Sequence, residues 1–526
     1  MLSKSKAGVT PALGLIMDNE PPGGERGMTR ITNQTEKLPI ELLINIFGHV
    51  CGLCGGYYTD DDYKGHYVSK LHNMAQVCRR WLDIIKGAPE LWTFISDRDP
   101  TIANLALVKS RSHPIGVVLK NLTIDPTAYS RLLKHAHRWI RVDIRLNSRD
   151  KDALRRLKEV RAPILQHLNV GFYAWDEHTT LPLDLFRDDS PRLTSLALER
   201  VTIGRWNSPI FGSSLRSLEL TCIYAFGPTR TDLLAIFNAC PELARLELTH
   251  VTLSDDGTGL PQGPRVQLPR LHTLILGPSS PTDAVDIAKM VETPNCRNYK
   301  VSRSLEPSHQ NIIPAVALQI QQSFEACLAS GKSLDIDLDG FWIHIRCRSD
   351  QTSSSDFDLQ LAESGPYGPM VGWLNSMSLV RCPPLSPIPI NINLNYRSLP
   401  GLPSPPSHLL QLSNVRSLQI TDYFGYTNHL VEALSFPRDR RSDGWLWPGL
   451  QEVTIRAFTG RPTTLLHMVK ARAEASVRQE GTGLISEIVV LKRFQVERGI
   501  FIEDQFKVVR AALGDAAVLW PVIRGE

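Results

Sequence analysis

The clearest apolar periodicity in the chain lies in residues 37–95, where two stripes with helical spacing flank a polar loop. Leu38, Leu42, Leu43, Ile46, Phe47 and Val50 recur at intervals of three and four and share one helical face. Pro39 sits at a first-turn position, where a missing N–H leaves no intrahelical bond unmade, and Glu41 adds negative charge at the positive end of the helix dipole. A second stripe runs through Met74, Val77, Cys78, Trp81, Ile84 and Ile85, and Gly87 followed by Pro89 ends it. Two helices this short cannot cover both apolar faces with each other. Further chain or a partner must complete them.

Beyond residue 97 the period changes. Residues 101–111 read as a short helix, 114–119 as a strand, 129–139 as a helix, and 140–146 alternate as a half-buried strand does. A phrase of the form Pro-x-Leu-x-x-Leu-x-Leu then recurs, with leading leucines at Leu165, Leu193, Leu215, Leu243 and Leu271. The steps are 28, 22, 28 and 28 residues, and the copy at Leu215 lacks its proline. The spacers carry helical faces: Leu233, Leu234, Phe237 and Cys240 in one, Val285, Ala288 and Val291 in another. A strand, a bend and a helix per period make a unit whose apolar face only its neighbours cover. The phrase resembles a leucine-rich repeat. Where that family has Asn or Cys, this chain has Val201, Ile223, Val251 and Ser279, so the expectation is an irregular, loosely curved array.

The phrase fades over residues 293–414. A helix is expected at 312–330, with Ile320, Phe324, Cys327 and Leu328 on its face, and strands of the same continuing sheet at 334–338 and 388–394. Residues 351–355 and 400–406 read as loops. Strands return at 415–420, 450–455 and 485–490, with helices at 463–472 and 503–513, and the region around Trp520 caps the array.

The N-terminal stretch resembles a known module. Leu38-Pro39-Ile40-Glu41-Leu42-Leu43, Ile46-Phe47, Val77-Cys78-Arg79-Arg80-Trp81 and Pro89-Glu90-Leu91-Trp92, in that order, resemble an F-box of the form common in mushroom-forming fungi. The resemblance implies a three-helix hook that docks on the Skp-type adaptor of a cullin-based ubiquitin ligase. Carried over by position, it assigns adaptor contact, or support of the contact geometry, to Leu38, Pro39, Leu42, Ile46, Val77, Cys78 and Trp81. F-box proteins join their first two helices by a short connection, whereas here residues 51–70 form an insertion.

That insertion holds Cys51-Gly52-Leu53-Cys54 with His66 and His72, a spacing near that of a two-cysteine, two-histidine zinc site. Its Gly52, Gly55 and Gly56 and the run Asp60-Asp61-Asp62 equally describe a solvated loop. No metal is assigned on this pattern. Asp335, Asp337 and Asp339-Gly340 match the first half of a calcium loop, but Arg346 stands where a bidentate Glu is needed, so a strand with an acidic outer face is expected. Pro261 and Pro264 deny the Gly257–Gly263 region the helix that a phosphate loop requires. No local signature of a nucleophile, P-loop or zinc protease occurs, and the chain reads as non-catalytic with no cofactor.

Composition narrows the class further. A net charge of +4 and a pI near 8.5 are too mild to argue for nucleic acid. Nine scattered cysteines make no disulfide framework, and no run of 18 apolar residues or signal-peptide pattern occurs, so a cytoplasmic or nuclear protein is expected. The expected organisation is an α/β chain. A disordered segment at 1–36 leads to an all-α F-box hook at 37–96, and an irregular leucine-rich-repeat-like solenoid with a curved parallel sheet fills 97–526. The residues between strand leucines should face the exposed sheet, which places His167, Asn169, Ser195, Ala197, Ser217, Glu219, Arg245, Glu247, Thr273, Gln419, Glu452, Thr454 and Arg456 there, all but Ala197 and Thr454 being target-binding candidates. The expected function is substrate recognition for the ligase, with a Skp-type adaptor, a cullin and an unidentified target protein as partners. A repeat scaffold unconnected to ubiquitin and a zinc protein built on the Cys51–His72 loop are the alternatives.

Overall fold

The computed structural model describes residues 37–52, 66–97, 99–120, 126–146, 156–172, 180–181, 192–203, 206–224, 227–254, 265–277, 280–301, 333–339, 342–348, 355–362, 389–395, 415–421, 428–435, 437–439, 442–445, 447, 449–456, 462–480, 491, 493–497 and 511. The expectations for 1–36, 257–264, 312–330, 400–406, 485–490 and, apart from Ala511, 503–513 lie outside the described residues. Backbone packing divides the chain into two compact units, Met1–Leu215 and Arg216–Glu526.

The first unit opens with helices α1 (Ile40–Val50), α2 (His66–Ala75) and α3 (Arg79–Gly87), and a 3-10 turn at Pro89–Trp92. The chain then runs straight into strand β1 (Phe94–Ser96). After it come α4 (Pro100–Lys109), β2 (Ile115–Leu119), α5 (Pro126–Lys134), β3 (Trp139–Leu146), β4 (His167–Phe172) and β5 (Ser195–Glu199). The five strands pair in chain order, all parallel. The second stripe of the sequence is not one helix. It breaks at Gln76–Cys78, so Met74 belongs to α2 and Trp81 to α3, and α2 already begins at His66, inside the expected insertion.

Residues 129–139, expected as one helix, divide as well. Helix α5 stops at Lys134, a 3-10 turn spans Ala136–Arg138, and Trp139 starts β3 fully buried. Arg138 explains the break. Its side chain, 7% exposed, donates from Nε to the His113 carbonyl (2.9 Å) and from Nη2 to Ser110 Oγ (2.7 Å) at the C-cap of α4. A buried guanidinium must satisfy its donors, and these bonds fix the backbone where the helix would otherwise continue.

In the second unit the sheet runs through β6 (Ser217–Ile223), β7 (Arg245–Val251), β8 (Thr273–Gly277) and β9 (Asn298–Val301), with helices α6 (Arg230–Ala239) and α7 (Pro281–Met290) in the crossovers. The strand leucines stack in register. Leu218, Leu246 and Leu274 form one row and Leu220, Leu248 and Leu276 the next, each at most 2% exposed. Thr229 and Asp232 make a reciprocal capping box at the start of α6.

A backbone feature repeats with the leucines. Arg200, Cys222 and His250 each lie five residues past the first residue of β5, β6 and β7, and each has a left-handed φ of 54, 58 and 55°. In β6 and β7 the bends match: Thr221 pairs with Thr249 and Ile223 with Val251, while Cys222 and His250 are skipped. The residue after each bend, Val201, Ile223 or Val251, turns into the core at 2, 0 and 0% exposure. These are the positions that lack the expected Asn. An apolar anchor holds the bend instead, at a local conformational cost of about 1–2 kcal/mol per non-glycine residue.

The remaining strands are β10 (Ser333–Asp339), β11 (Trp342–Arg348), β12 (Ser355–Ala362), β13 (Ile390–Asn395), β14 (Val415–Thr421), β15 (Glu452–Arg456) and β16 (Arg493–Glu497). Their spatial order is β9-β12-β11-β10-β13-β14-β15-β16, and β11 is antiparallel to both its neighbours. Three strands thus enter as a meander in reversed order, which corrects the expectation of a simple parallel continuation. It also makes Ser355 the first residue of a strand rather than a loop residue. The cause is local. Asp339 pairs with Trp342, so only Gly340-Phe341 joins the two strands, and a two-residue connection led by Gly is a hairpin signal that a calcium-loop reading obscures.

Helices α8 (Asn428–Ser435) and α9 (Pro462–Glu480) pack together at the far end of the sheet. Arg472 of α9, 1% exposed, donates from Nε to the Leu434 carbonyl near the end of α8 and from Nη1 and Nη2 to the Trp447 carbonyl, each at 3.3 Å. Burial lowers its pKa to about 10, which still leaves it charged at neutral pH.

Two outcomes follow. Replacement of Cys222 by Val should cost about 1–2 kcal/mol in chemical denaturation, whereas Cys222→Gly should cost little, because only glycine relaxes the left-handed bend. Arg472→Leu should cost about 2 kcal/mol by removing the guanidinium donor from the Leu434 carbonyl and from the Trp447 carbonyl, which keeps only the Leu450 N–H, measured as a lower denaturant midpoint.

Candidate functional site

Helix α1 divides its apolar residues between two directions. Leu43 and Phe47 are buried at 1 and 0% exposure, whereas Leu42, Ile46 and Val50 remain 44, 39 and 49% exposed. The latter recur every four residues and form one row along the helix. Ile40 is also exposed, and so is Val77 in the turn between α2 and α3.

The inward side explains why the hook holds together. The Phe47 ring lies 4.8 Å from that of Trp81, tilted by 59°, which locks α1 onto α3. Arg80 Nη2 donates to the Leu38 carbonyl (2.6 Å), so α3 ties down the entry to α1 from 42 residues away. At the other end of α3, Trp92 Nε1 donates to the Ile85 carbonyl (2.7 Å) and satisfies one orphan acceptor of the last turn. Tyr67 meets Phe94 edge-on at 5.7 Å, joining α2 to β1. The hook is therefore continuous with the first strand of the sheet.

The residues named from sequence separate accordingly. Leu42, Ile46 and Val77 stand out in solvent, and Pro39 is exposed at the N-cap of α1. Leu38, Cys78 and Trp81 are half-buried; Cys78 is the N-cap of α3, and Trp81 is held by Phe47. Arg80 was not singled out, since nothing in a linear pattern marks a side chain that reaches back to a carbonyl. Val50 and Ile40 extend the exposed surface, and Val50 was findable as the next step of the same row.

The Cys51–His72 loop lies largely outside the described residues, with residues 53–65 among those not described. Cys51 is 5% exposed, and burial raises its thiol to about 11, only partly offset by Lys70, which disfavours the thiolate that a metal needs. His72 Nε2 contacts Gln76 Nε2 at 2.7 Å. Among the described residues no group of three or more His, Cys, Asp or Glu is placed to hold a metal ion, and no helix is long and apolar enough to cross a membrane.

On the sheets, the residues between the strand leucines do face outward. His167, Glu452 and Arg456 are exposed, and Asn169, Ser195, Ala197, Ser217, Glu219, Arg245, Glu247, Gln419 and Thr454 are half-exposed. Thr273 is the exception at 6%: its short side chain lies between Arg245 and Asn298 in register, and its hydroxyl meets His272 Nδ1 at 3.0 Å. Arg245 pairs with Glu247 two residues along the same strand (2.6 Å). In the first unit, Arg145 reaches across β4 to Glu199. It passes over Gly171, which lies between them in register, where a side chain would obstruct it.

The reversed meander adds a polar lattice to the second unit's sheet. His344 Nε2 meets Asp358 Oδ1 at 2.5 Å, Arg346 pairs with Asp337, and Asn391 Nδ2 donates to Asp335 Oδ1 (2.8 Å). The acidic strand face once suggestive of calcium is thus engaged by Arg346 and Asn391 in the sheet itself.

Comparison with known proteins bears on the hook. No curated protein matches the chain. The model of the F-box-like family matches residues 35–98, which covers α1 to α3, the 3-10 turn and β1. Domains of this family are protein-interaction modules that generally bind Skp-type adaptors. Residues 35–98 of this chain are an F-box-like domain.

Proposed function

We propose that this protein is a non-catalytic substrate receptor of a cullin-based ubiquitin ligase. Its hook binds a Skp-type adaptor, and its repeat-like sheet holds a target protein. The observation that carries the reading is the exposed row Leu42, Ile46 and Val50 on a helix whose other apolar side is fully used by Phe47 and Trp81. Each of these side chains gains about 1 kcal/mol when a partner covers the half still in water. Pro39 and Val77 extend that contact, while Leu38, Cys78 and Trp81 support its geometry.

The sheet supplies the second half of the reading. The leucine period, the matched left-handed bends and the outward polar residues accord with a leucine-rich-repeat-like array, though a reversed meander and apolar anchors make it an irregular one. Half-exposed Ser, Glu, Arg and Thr side chains on a stiff sheet suit recognition of a protein surface. Holding target and ligase on one chain makes ubiquitin transfer effectively intramolecular, which raises the effective concentration of the target without any catalytic group here.

Two experiments follow, both on the full-length chain, because the hook runs into the sheet through β1. Leu42→Asp with Ile46→Asp should weaken adaptor binding at least about tenfold in a pull-down or titration, with the melting temperature little changed, since both side chains already face water. Unaltered binding contradicts the adaptor reading and leaves a repeat scaffold. Arg245→Glu should leave adaptor binding intact yet deplete proteins that co-purify with the wild type; an unchanged co-purifying set removes this sheet face from target recognition.

A further inference from the structure

Positive charge in this chain is concentrated. Residues 126–161 hold eleven Lys and Arg against four Asp and Glu, a net +7, in a chain whose total is +4, so everything else sums to −3. The fold gathers part of this excess around one depression in the first unit, of about 560 Å³, between α5 and the helix end and turn at 156–159. Ser130, Lys134, His137, Arg156, Glu159 and Arg161 contribute to its walls. The four basic side chains among them are exposed.

Three permanent cations therefore meet one carboxylate. Arg156 is positioned by its Nη1 donating to Ser130 Oγ (3.3 Å), which spans the depression from that helix end to α5. Lys134 lies in the last turn of α5, where the helix dipole places about half a negative charge. That dipole and Glu159 together offset about one and a half of the three charges, so an excess of more than one remains. The pKa of the neighbouring His135 is lowered first by burial and then by Arg138 and His137, of which only His137 lines the depression. A concave wall with convergent guanidinium and ammonium donors is the arrangement that phosphate oxygens satisfy, through bidentate Arg contacts and a Lys point charge.

We propose that this depression binds an anion of the phosphate class, presented either as a phosphorylated side chain of a peptide or as a small free phosphate. The proposal is independent of the adaptor reading, because no residue of the hook takes part.

The test uses the full-length protein at constant ionic strength, so that general screening is held fixed. One arm titrates inorganic pyrophosphate and follows the melting temperature. The other titrates a fluorescent phosphoserine peptide and its unphosphorylated counterpart and follows anisotropy. Saturable binding in either arm, weakened about tenfold or more in the Lys134→Ser, Arg161→Ser double variant, is the expected result. The arm that responds identifies the source. Melting of the variant without ligand reports that it is folded, since both side chains are exposed. Absence of saturable binding in both arms, or equal binding by the variant, overturns the proposal, and adaptor capture measured on the same samples tests the hook separately.

Discussion

The packing of Phe47 against Trp81 is the constraint on which the N-terminal half depends. It sets which side of α1 faces its own protein, and a helix has only one circumference. Once Leu43 and Phe47 are committed inward, Leu42, Ile46 and Val50 are carried outward by the same 3.6-residue turn. The hook's own packing thus exposes its apolar row. Arg80 holding the Leu38 carbonyl ties α3 to the entry of α1, and Trp92 holding the Ile85 carbonyl closes the end of α3.

The same economy of faces organises the sheets. Each leucine-bearing strand here buries its leucines on one face and leaves the residues between them partly in solvent on the other. What keeps each strand in phase here is a left-handed residue followed by a buried Val or Ile, at Arg200–Val201, Cys222–Ile223 and His250–Val251. Arg472 serves the far end in another way, by closing two carbonyls with one buried guanidinium.

Much of this was legible from the sequence because periodicity reports burial. The strands carrying Leu168, Leu196, Leu218, Leu246 and Leu274 lie where the recurring phrase places them, α6 and α7 fall in its spacers, and α4 follows the separate helical spacing at 101–111. The hook residues were legible as a set but not as a division. Spacing puts Leu42 and Leu43 in one wide stripe, and only the position of Trp81 decides which of them is covered. The break at Gln76–Cys78 is not legible in the spacing, because apolar residues at helical intervals continue through it. The early stop of α5 depends on Arg138 reaching His113 and Ser110, contacts that no local pattern encodes. The reversed meander is signalled by the two-residue connection Gly340-Phe341, whose glycine the calcium-loop motif also claims. The charge excess at 126–161 was present in the sequence throughout, hidden by a nearly neutral total.

The proposed adaptor contact requires that another protein cover the exposed side of α1. Hydrogen exchange of the full-length chain with and without a Skp-type adaptor tests it most directly. Adaptor binding should slow exchange only in α1 and the turn at Gln76–Cys78, with the sheet peptides unchanged. Exchange in α1 that is the same with the adaptor present, at concentrations that saturate other F-box domains, would contradict it.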